Sequence, residues 1–417
     1  MYRRTIYSVL ALVIVAFGST AARADVVLEW NTIMLDTLVG QNPVNETRIA
    51  AITQLAVFEA VNAITDDYQP YLGTIYAPRG ASAEAAAVAA AHVVLRNYVP
   101  DKGAALDAAR AQSLAGILDG QAKEDGIVVG EKAANAMIDL REQDGSAPPQ
   151  FHVPTSSEPG VWQLTVGCPP QGGVFLHWPN VIPFGIRRAD QFRPGPPPAL
   201  TSKKYKVAFN EVKAVGGVDS TERPQDRADV ARYYAVVLAI RTWNPAATQV
   251  AAAQGRSLSH NARALALLNM ALSDALVAVF DVKYHAPFWR PETAIPAGDT
   301  DGNWGTRGDP NFKPFISTPC HPSYVSAHAS AAYAAVSVLE RIYGRRGHYI
   351  VLSSPVVPGI VLDYSRFDRI ASDIDDARVY GGIHWRFDQE AGARLGRRLG
   401  SYVYEHNLCR THRRHRH

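Results

Sequence analysis

Residues 377–388 (ARVYGGIHWRFD) bring together residue types that can bind an anion and act on it. Arg378 carries a planar guanidinium that matches the oxygens of an anion. If the chain is helical from about the second glycine of Gly381–Gly382, Asp388 lies one turn after His384 on the same face. Its carboxylate can then hold one imidazole nitrogen and leave the other free to bind or attack. The two glycines would let a bulky anion rest against the backbone near a helix N-terminus.

This segment therefore predicts the floor of an oxyanion site. The alternative interpretation of the same residues is a structural histidine in the core beside a surface arginine.

Two upstream segments carry groups suited to the same chemistry. Residues 281–295 (DVKYHAPFWRPETAI) contain Lys283 and, after six intervening residues, Arg290 followed by a proline. Two cations at that spacing are by themselves most often solvated surface groups. Residues 319–329 (PCHPSYVSAHA) place Ser326 and His328 at the mouth of an alanine-rich helix. Such a helix start can offer free backbone N–H groups, a hydroxyl and a titratable imidazole together.

In this order the three motifs resemble the active-site pattern of the type 2 phosphatidic acid phosphatases and vanadium-dependent haloperoxidases. That pattern is Lys-x6-Arg-Pro, then Pro-Ser-Gly-His, then Ser-Arg-x5-His-x3-Asp, and every charged position is filled in this chain. The sequences FWRP, HPSY and HWRFD are similar to the haloperoxidase branch, and similarity to bacterial secreted members extends from about Trp30 to the C-terminus. The departures are Val325 for proline, Ala327 for glycine and Ala377 for serine.

The resemblance implies an anion site for vanadate, with phosphate as a competing oxyanion. Lys283, Arg290 and Arg378 would match the anion oxygens, and the Ser326 hydroxyl and the Ala327 N–H would be neutral donors. Alanine keeps the backbone N–H of the family glycine, and its methyl group adds bulk where the anion would lie.

The resemblance also implies roles for the two histidines, with Asp388 behind them. In a haloperoxidase, His384 is the single protein ligand of vanadium and His328 is the acid–base group, while hydrogen peroxide and a halide are the substrates. In a phosphatase, His384 attacks the phosphorus of a small phosphoester and His328 protonates the leaving alcohol. The residues alone leave both reactions open. A non-catalytic oxyanion-binding protein is a third interpretation, which the two intact histidines disfavour.

Two further positions bear on the halide. His321 stands where bromoperoxidases of the family carry histidine and fungal chloroperoxidases carry phenylalanine. Phe280 is aromatic where chloroperoxidases have tryptophan and algal bromoperoxidases have arginine. We give His321 more weight, because an imidazole beside the peroxide can alter the proton affinity of His328. We therefore expect bromide and iodide to be oxidised in preference to chloride.

The elements that must position these residues read as helices, and strand signals are sparse. Pro- and Gly-rich loops at 144–200, 291–322 and 344–363 separate them. The pattern predicts an all-α fold of two helical bundles, with long loops lining the site. Apolar residues recur at helical spacing in Arg48–Ile64, Ser82–Tyr98, Ala104–Leu118, Val128–Arg141, Gln225–Ile240, Asn261–Val282, Ser326–Tyr343 and Asp388–Tyr404.

An internal similarity bears on the architecture. Arg48–Ile64 aligns without gaps on Arg263–Val279, with Glu59 opposite Asp274. Alanine-rich helices match each other easily by chance, so the alignment suggests a duplicated bundle as a hypothesis.

The remaining expectations concern organisation and compartment. With 417 residues, 47% of them hydrophobic, the chain can bury a large core, and a net charge of +3 gives no case for nucleic-acid binding. Residues 1–24 read as a signal peptide, with ordinary secretion favoured over twin-arginine export. We expect an N-terminal helical region at 25–240, a catalytic domain at 241–409 and a basic tail at 410–417.

The protein is accordingly expected to be periplasmic or secreted, without membrane insertion, since no other stretch reads as long and apolar enough to span a bilayer. A homo-oligomer stays open. In an oxidising compartment, the three cysteines allow one disulfide and leave one thiol over.

Overall fold

The computed structural model describes residues 25–411, so the expected signal peptide and most of the expected basic tail lie outside the described residues. Over this range, the chain forms thirteen α-helices and one small sheet, in agreement with the predicted all-α fold. The helices are α1 Val26–Thr37, α2 Pro43–Thr65, α3 Ala83–Tyr98, α4 Gly103–Ala115, α5 Gln121–Arg141, α6 Lys203–Val215, α7 Gln225–Val236, α8 Ala239–Ala253, α9 Leu258–His285, α10 Pro291–Ala294, α11 Ala327–Tyr343, α12 Phe367–Tyr380 and α13 Arg386–His406.

Each segment predicted as helical is mostly helical, one of them as two separate helices, and polar caps explain several of the helix starts. Asn42, Ser82, Ser257 and Ser326 precede α2, α3, α9 and α11, and each side chain accepts a hydrogen bond from a backbone N–H of the first turn. The prediction of one helix over Gln225–Ile240 is wrong. α7 ends at Val236 and α8 begins at Ala239, because residues 237 and 238 between them adopt extended backbone angles.

The predicted loop 344–363 contains most of a short hairpin, which corrects its assignment as irregular. β1 (Ile350–Ser353) pairs antiparallel with β2 (Val361–Tyr364), with Ile350 opposite Tyr364. Strands of four residues carry too little alternation to be read from the sequence.

α9 is the central element of the core. Nearly all of its residues are buried, and it packs against α2, α8, α11 and α13. It is also long and apolar enough to cross a bilayer by length and composition, contrary to the expectation that no other stretch passes that test, and 94% of its most apolar window is buried inside the protein. A buried core helix explains that composition.

Two helix pairs on either side of this centre make the same kind of contact. Glycines of α5 lie against backbone carbonyls of α3, and glycines of α13 lie against backbone carbonyls of α11. The contacts are Gly126 with Ser82 O, Gly130 with Ala86 O, Gly392 with Ser326 O, Gly396 with Ser330 O and Gly400 with Ala334 O.

The aligned acidic residues also act alike. The Glu59 carboxylate accepts from the backbone N–H of Tyr71, and Asp274 accepts from three backbone N–H groups at residues 184–186. These parallels are what the duplicated-bundle hypothesis predicts. One hydrophobic core runs through both halves, and the boundary between residues 240 and 241 stays a prediction.

A disulfide joins Cys168 to Cys320, with 5.3 Å between their Cα atoms, and leaves Cys409 as the free thiol. It ties the long loop 144–200 to the segment that carries His321.

Candidate active site

The three sequence motifs meet at one place. Lys283 and Arg290 of the Lys-x6-Arg-Pro motif donate hydrogen bonds to the segments that carry the other two motifs. Lys283 lies in the last turn of α9 and Arg290 immediately precedes α10, and both are fully buried. Lys283 Nζ donates to the carbonyls of residues 322 and 323 at 2.6 and 2.9 Å. Arg290 Nε donates to His321 O at 3.0 Å, and Arg290 Nη1 donates to Ile383 O at 2.8 Å.

Arg378 completes a set of three buried cations. It lies in the last turn of α12, is 3% exposed, and donates from Nη1 to Tyr234 O at 2.9 Å. Its Nε is buried without a hydrogen-bond partner. Among the described residues, no carboxylate lies within ion-pair distance of Lys283, Arg290 or Arg378. Buried cations with unused N–H groups and no paired anion are suited to receive an anion.

Burial also shifts the pKa values of these cations. Burial, followed by the charge of Arg290, lowers the pKa of Lys283 well below its ordinary value and that of Arg378 to about 9. Burial lowers the pKa of Arg290 to about 10. A bound anion would reverse these shifts, because negative charge favours the cationic forms.

His384 is paired with Asp388, although the helix prediction behind that pairing is wrong. α13 begins at Arg386, so His384 precedes the helix and Asp388 is its third residue. Asp388 Oδ2 lies 2.8 Å from His384 Nδ1 and accepts from the backbone N–H of Trp385 at 3.2 Å. His384 Nε2 has no hydrogen bond to any described residue.

Ser323 is a member of the site that the sequence analysis missed. Its hydroxyl donates to Asp388 Oδ2 at 2.6 Å and lies 3.4 Å from His384 Nδ1. The contact spans 65 residues of chain and has no spacing signal, so only the folded structure reveals it. Burial raises the pKa of Asp388 to about 6, and the hydrogen bond from Ser323 is the largest opposing influence.

The glycine pair is required for close packing in this structure. Gly382 has a φ of 76°, and an added Cβ there would collide with Gly216 O. An added Cβ at Gly381 would meet the side chain of Ile316 at 2.6 Å. Both glycines therefore allow neighbouring segments to approach closely, and their predicted contact with an anion stays a prediction.

The start of α11 carries the second motif. Ser326 caps the helix, with Oγ accepting from the Ala329 N–H at 3.3 Å, which leaves its hydroxyl hydrogen available for donation. Ala327 and His328 line a cavity, and His328 Nε2 has no hydrogen-bond partner.

His321 and Phe280, the two residues of the halide argument, lie beside each other, and the halide preference itself stays a prediction. Arg290 Nη2 lies 3.0 Å from His321 Nδ1, and the rings of His321 and Phe280 meet edge to face with centroids 5.2 Å apart. Both residues line the same cavity as His328.

All three imidazoles of the site have lowered pKa values. Burial is the largest cause for each of them. The next cause is the charge of Lys283 for His321, of Arg378 for His328 and of Arg290 for His384. Neutral imidazoles are the forms that can bind a metal or accept a proton.

The cavity has a volume of about 290 Å³. It is lined by residues of both halves of the chain, with Val44 and Glu46 from α2 joining His321, His328 and His384. Sequence reasoning placed the site in the second half alone. The contribution of α2 depends on how the two bundles pack together and has no local signal.

Comparison with known proteins agrees with this geometry. Residues 263–412 match the family model described as the VCPO second helical-bundle domain. The structure of the first bacterial vanadium-dependent iodoperoxidase superposes with a TM-score of 0.76 at 25% sequence identity, covering 92% of this chain and 96% of that one.

The apo form of a bacterial vanadium-dependent chloroperoxidase superposes with a TM-score of 0.72 at 17% identity, covering 87% of this chain and 93% of the other. Its holo form superposes with a TM-score of 0.69 at 17% identity, covering 87% of this chain and 91% of the other. At that identity these two show a shared fold. Among curated proteins, none matches this chain in sequence.

Proposed function

Because the chain belongs to the vanadium haloperoxidase/PAP2-like superfamily, we propose that it is an exported vanadate-dependent haloperoxidase that oxidises halide with hydrogen peroxide. The observation that carries this proposal is the set of three buried cations without a paired carboxylate. Asp388, whose charge acts on Lys283 and Arg290, lies beyond ion-pair distance of both, and its Oδ2 contacts Ser323, His384 and Trp385. The positive charge therefore calls for an added anion with several oxygens.

The donor set fits vanadate. Lys283, Arg290 and Arg378 would hold its oxygens, and neutral His384 Nε2 would be the protein ligand. When bound, vanadate supplies a Lewis-acid centre that activates peroxide towards a halide. Phosphate has the same arrangement of oxygens and would compete for the same donors.

The protein's own contribution is to orient groups and carry protons. Asp388 fixes the His384 ring through Nδ1, which keeps Nε2 available as the ligand atom. His328 is neutral and its Nε2 has no partner, so it can accept a proton from hydrogen peroxide and return it to the departing oxygen. The overall change consumes one peroxide, one halide ion and one proton, and gives hypohalous acid and water.

The halide preference is a further part of the proposal. His321, which lies beside Arg290 and lines the same cavity as His328, supports iodide and bromide over chloride. Bromide and iodide also give up electrons more readily than chloride does.

Phosphomonoester hydrolysis is the second candidate function, and the geometry of His384 favours it specifically. A histidine that is fixed by a carboxylate through Nδ1 and free at Nε2 is also arranged as a nucleophile. The same three cations would hold the phosphoryl oxygens.

The deciding experiment is a side-by-side assay of the purified mature protein. After incubation with orthovanadate, peroxide-dependent chlorination, bromination and iodination of a dimedone-type acceptor are measured at matched halide concentration. Hydrolysis of p-nitrophenyl phosphate is measured on the vanadate-free sample. Halogenation that depends on vanadate supports the haloperoxidase. Rapid phosphoester hydrolysis with no halogenation by any halide would assign the site to the phosphatase instead.

A further inference from the structure

The cavity that contains the oxyanion site, with His328, Arg378 and His384 in its lining, is larger and more apolar than peroxide and halide require. Its apolar walls come from α2, the break between α7 and α8, α8 itself, and α9. The side chains that form them are Val44, Leu238, Ile240, Trp243, Leu276 and Phe280. A cavity of about 150 Å³ with an apolar lining can hold a benzene molecule, so the 290 Å³ found here has room for a substituted ring.

Within residues 25–411, three polar side chains of this lining have a buried atom without a hydrogen-bond partner. His328 and Arg378 belong to the oxyanion site, and Glu46 is the third. Glu46 is 2% exposed, and its Oε1 accepts from Arg241 Nη2 at 2.7 Å. Its Oε2 is buried and has no hydrogen-bond partner. A buried acceptor without a donor is costly, and ligand binding is one way in which such an acceptor becomes satisfied.

We propose that this cavity binds a small aromatic molecule with a hydrogen-bond donor, of the phenol class, and that the enzyme halogenates this molecule while it is bound. The donor group of the bound molecule would donate a hydrogen bond to Glu46, and its ring would pack against the apolar side chains of the cavity. The catalytic half of this inference rests on the proposed haloperoxidase function, whereas the binding half does not.

The reaction balances without any further reagent. Bromide gives two electrons to hydrogen peroxide, which is reduced to water. The arene then gives its C–H electron pair to bromine, so that a C–Br bond forms and the ring proton is released. Phenol, bromide, hydrogen peroxide and one proton therefore give bromophenol and two molecules of water.

The first test measures binding without peroxide. Phenol and toluene are titrated into the full-length mature, vanadate-loaded protein by calorimetry. We expect saturable binding of both probes, with phenol the tighter of the two because toluene lacks the donor. No saturable phenol binding would overturn the inference whether or not halide is oxidised.

The role of Glu46 is tested by the variant Glu46→Gln, with the exposed Glu84→Gln of α3 as the matched control. A hydrogen bond to a charged acceptor contributes enough that its weakening should reduce phenol affinity by roughly tenfold or more. Toluene affinity should stay within about twofold, and the control should bind both probes as the unmodified protein does. Equal losses for phenol and toluene would show general damage to the cavity and would contradict the role of Glu46.

The second test examines where the halogen is added. The ratio of ortho- to para-bromophenol made by the enzyme is compared with the ratio given by reagent hypobromous acid in the same buffer. A different ratio is expected if the ring is held during reaction. An identical ratio would mean that released hypobromous acid brominates phenol in solution, and would overturn halogenation in the cavity. The rate of triiodide formation from iodide, measured without phenol, reports separately on the proposed function.

Discussion

The two nitrogens of His384 have separate surroundings. Nδ1 faces Asp388 and Ser323, while Nε2 has no partner among the described residues. His328 Nε2 also has no hydrogen-bond partner, but within residues 25–411 no carboxylate bonds to its ring. The first histidine is thus arranged as a ligand and the second as a proton carrier.

We expect His384→Ala to abolish vanadate retention and His328→Ala to retain vanadate but lose turnover. Vanadium content after gel filtration and the bromination rate are measured on the same samples. Equal vanadium content in the unmodified protein and the His384 variant would remove His384 from the ligand role.

Ser323 offers a test of how the carboxylate is controlled. Burial raises the pKa of Asp388 to about 6, and the hydrogen bond from the Ser323 hydroxyl is the largest influence that lowers it. Removing that hydroxyl with Ser323→Ala should therefore raise the pKa of Asp388 further. The ionised carboxylate is a stronger acceptor for His384 Nδ1–H than the protonated acid, so vanadate affinity should weaken at a higher pH on acidification than in the unmodified protein. Equilibrium dialysis of vanadate across pH 5 to 8 checks this, and Ser202→Ala at the start of α6 is the control. Superimposable pH profiles would contradict the role of Ser323.

At the scale of helices, the sequence was sufficient to predict α9 and α11, because both are long runs rich in alanine and other apolar residues, and such a signal extends over many turns. The predicted pairing of His384 with Asp388 is also correct, but its structural basis differs from the expected one. A continuous helix was expected, whereas Trp385 is extended and α13 begins after it. The contribution of Glu46 and Ser323 could not be predicted, since it arises from contacts between distant segments.

The contact between α11 and α13 sets the distance between His328 and the His384–Asp388 pair. Gly396 lies directly against the backbone of α11, and an added Cβ there would overlap Ser330 O. We expect Gly396→Ala to push the helices apart, to destabilise the protein by roughly 1–3 kcal/mol and to weaken vanadate binding. Gly195→Ala is the matched control, because nothing lies within 4 Å of its added Cβ. Thermal unfolding and vanadate dialysis measure both variants, and identical behaviour of the two would refute the packing argument.

A buried carboxyl on α12 predicts a pH dependence of stability that is separate from the site. Burial raises the pKa of Asp375 to about 7, and its Oδ2 accepts from the Tyr333 hydroxyl at 2.9 Å. Between about pH 4 and 7 this carboxyl is protonated in the folded protein and ionised in the unfolded chain. Each unit of rising pH in that window therefore costs stability, by roughly 1.4 kcal/mol at most.

The variant Asp375→Asn removes that cost while keeping an acceptor for Tyr333. We expect its Tm to exceed that of the unmodified protein at pH 8 and the difference to vanish near pH 4. Differential scanning calorimetry at both pH values measures it. A difference that does not change with pH would mean that Asp375 is ionised throughout.

At the scale of the whole molecule, both halves of the chain enclose one cavity, so an anion in the site should stabilise the whole fold. A ligand at one hundred times its dissociation constant stabilises the native state by about 2.7 kcal/mol. We expect orthovanadate and phosphate each to raise Tm, and excess phosphate to block vanadate loading. Nitrate at equal ionic strength is the control. Vanadate loading that is indifferent to a large excess of phosphate would show that Lys283, Arg290 and Arg378 do not form one site.

The disulfide next to His321 has a consequence for the lifetime of the enzyme. Hypohalous acids attack thiols readily, and a thiol beside the cavity would be among the first groups to meet the product. Cys320 is covalently joined to Cys168 and cannot be oxidised as a thiol. Oxidative self-inactivation should therefore begin at another residue, and we expect the partly exposed thiol of Cys409 to be oxidised first. If the protein makes hypohalous acid as proposed, the disulfide protects the cysteine that directly precedes His321.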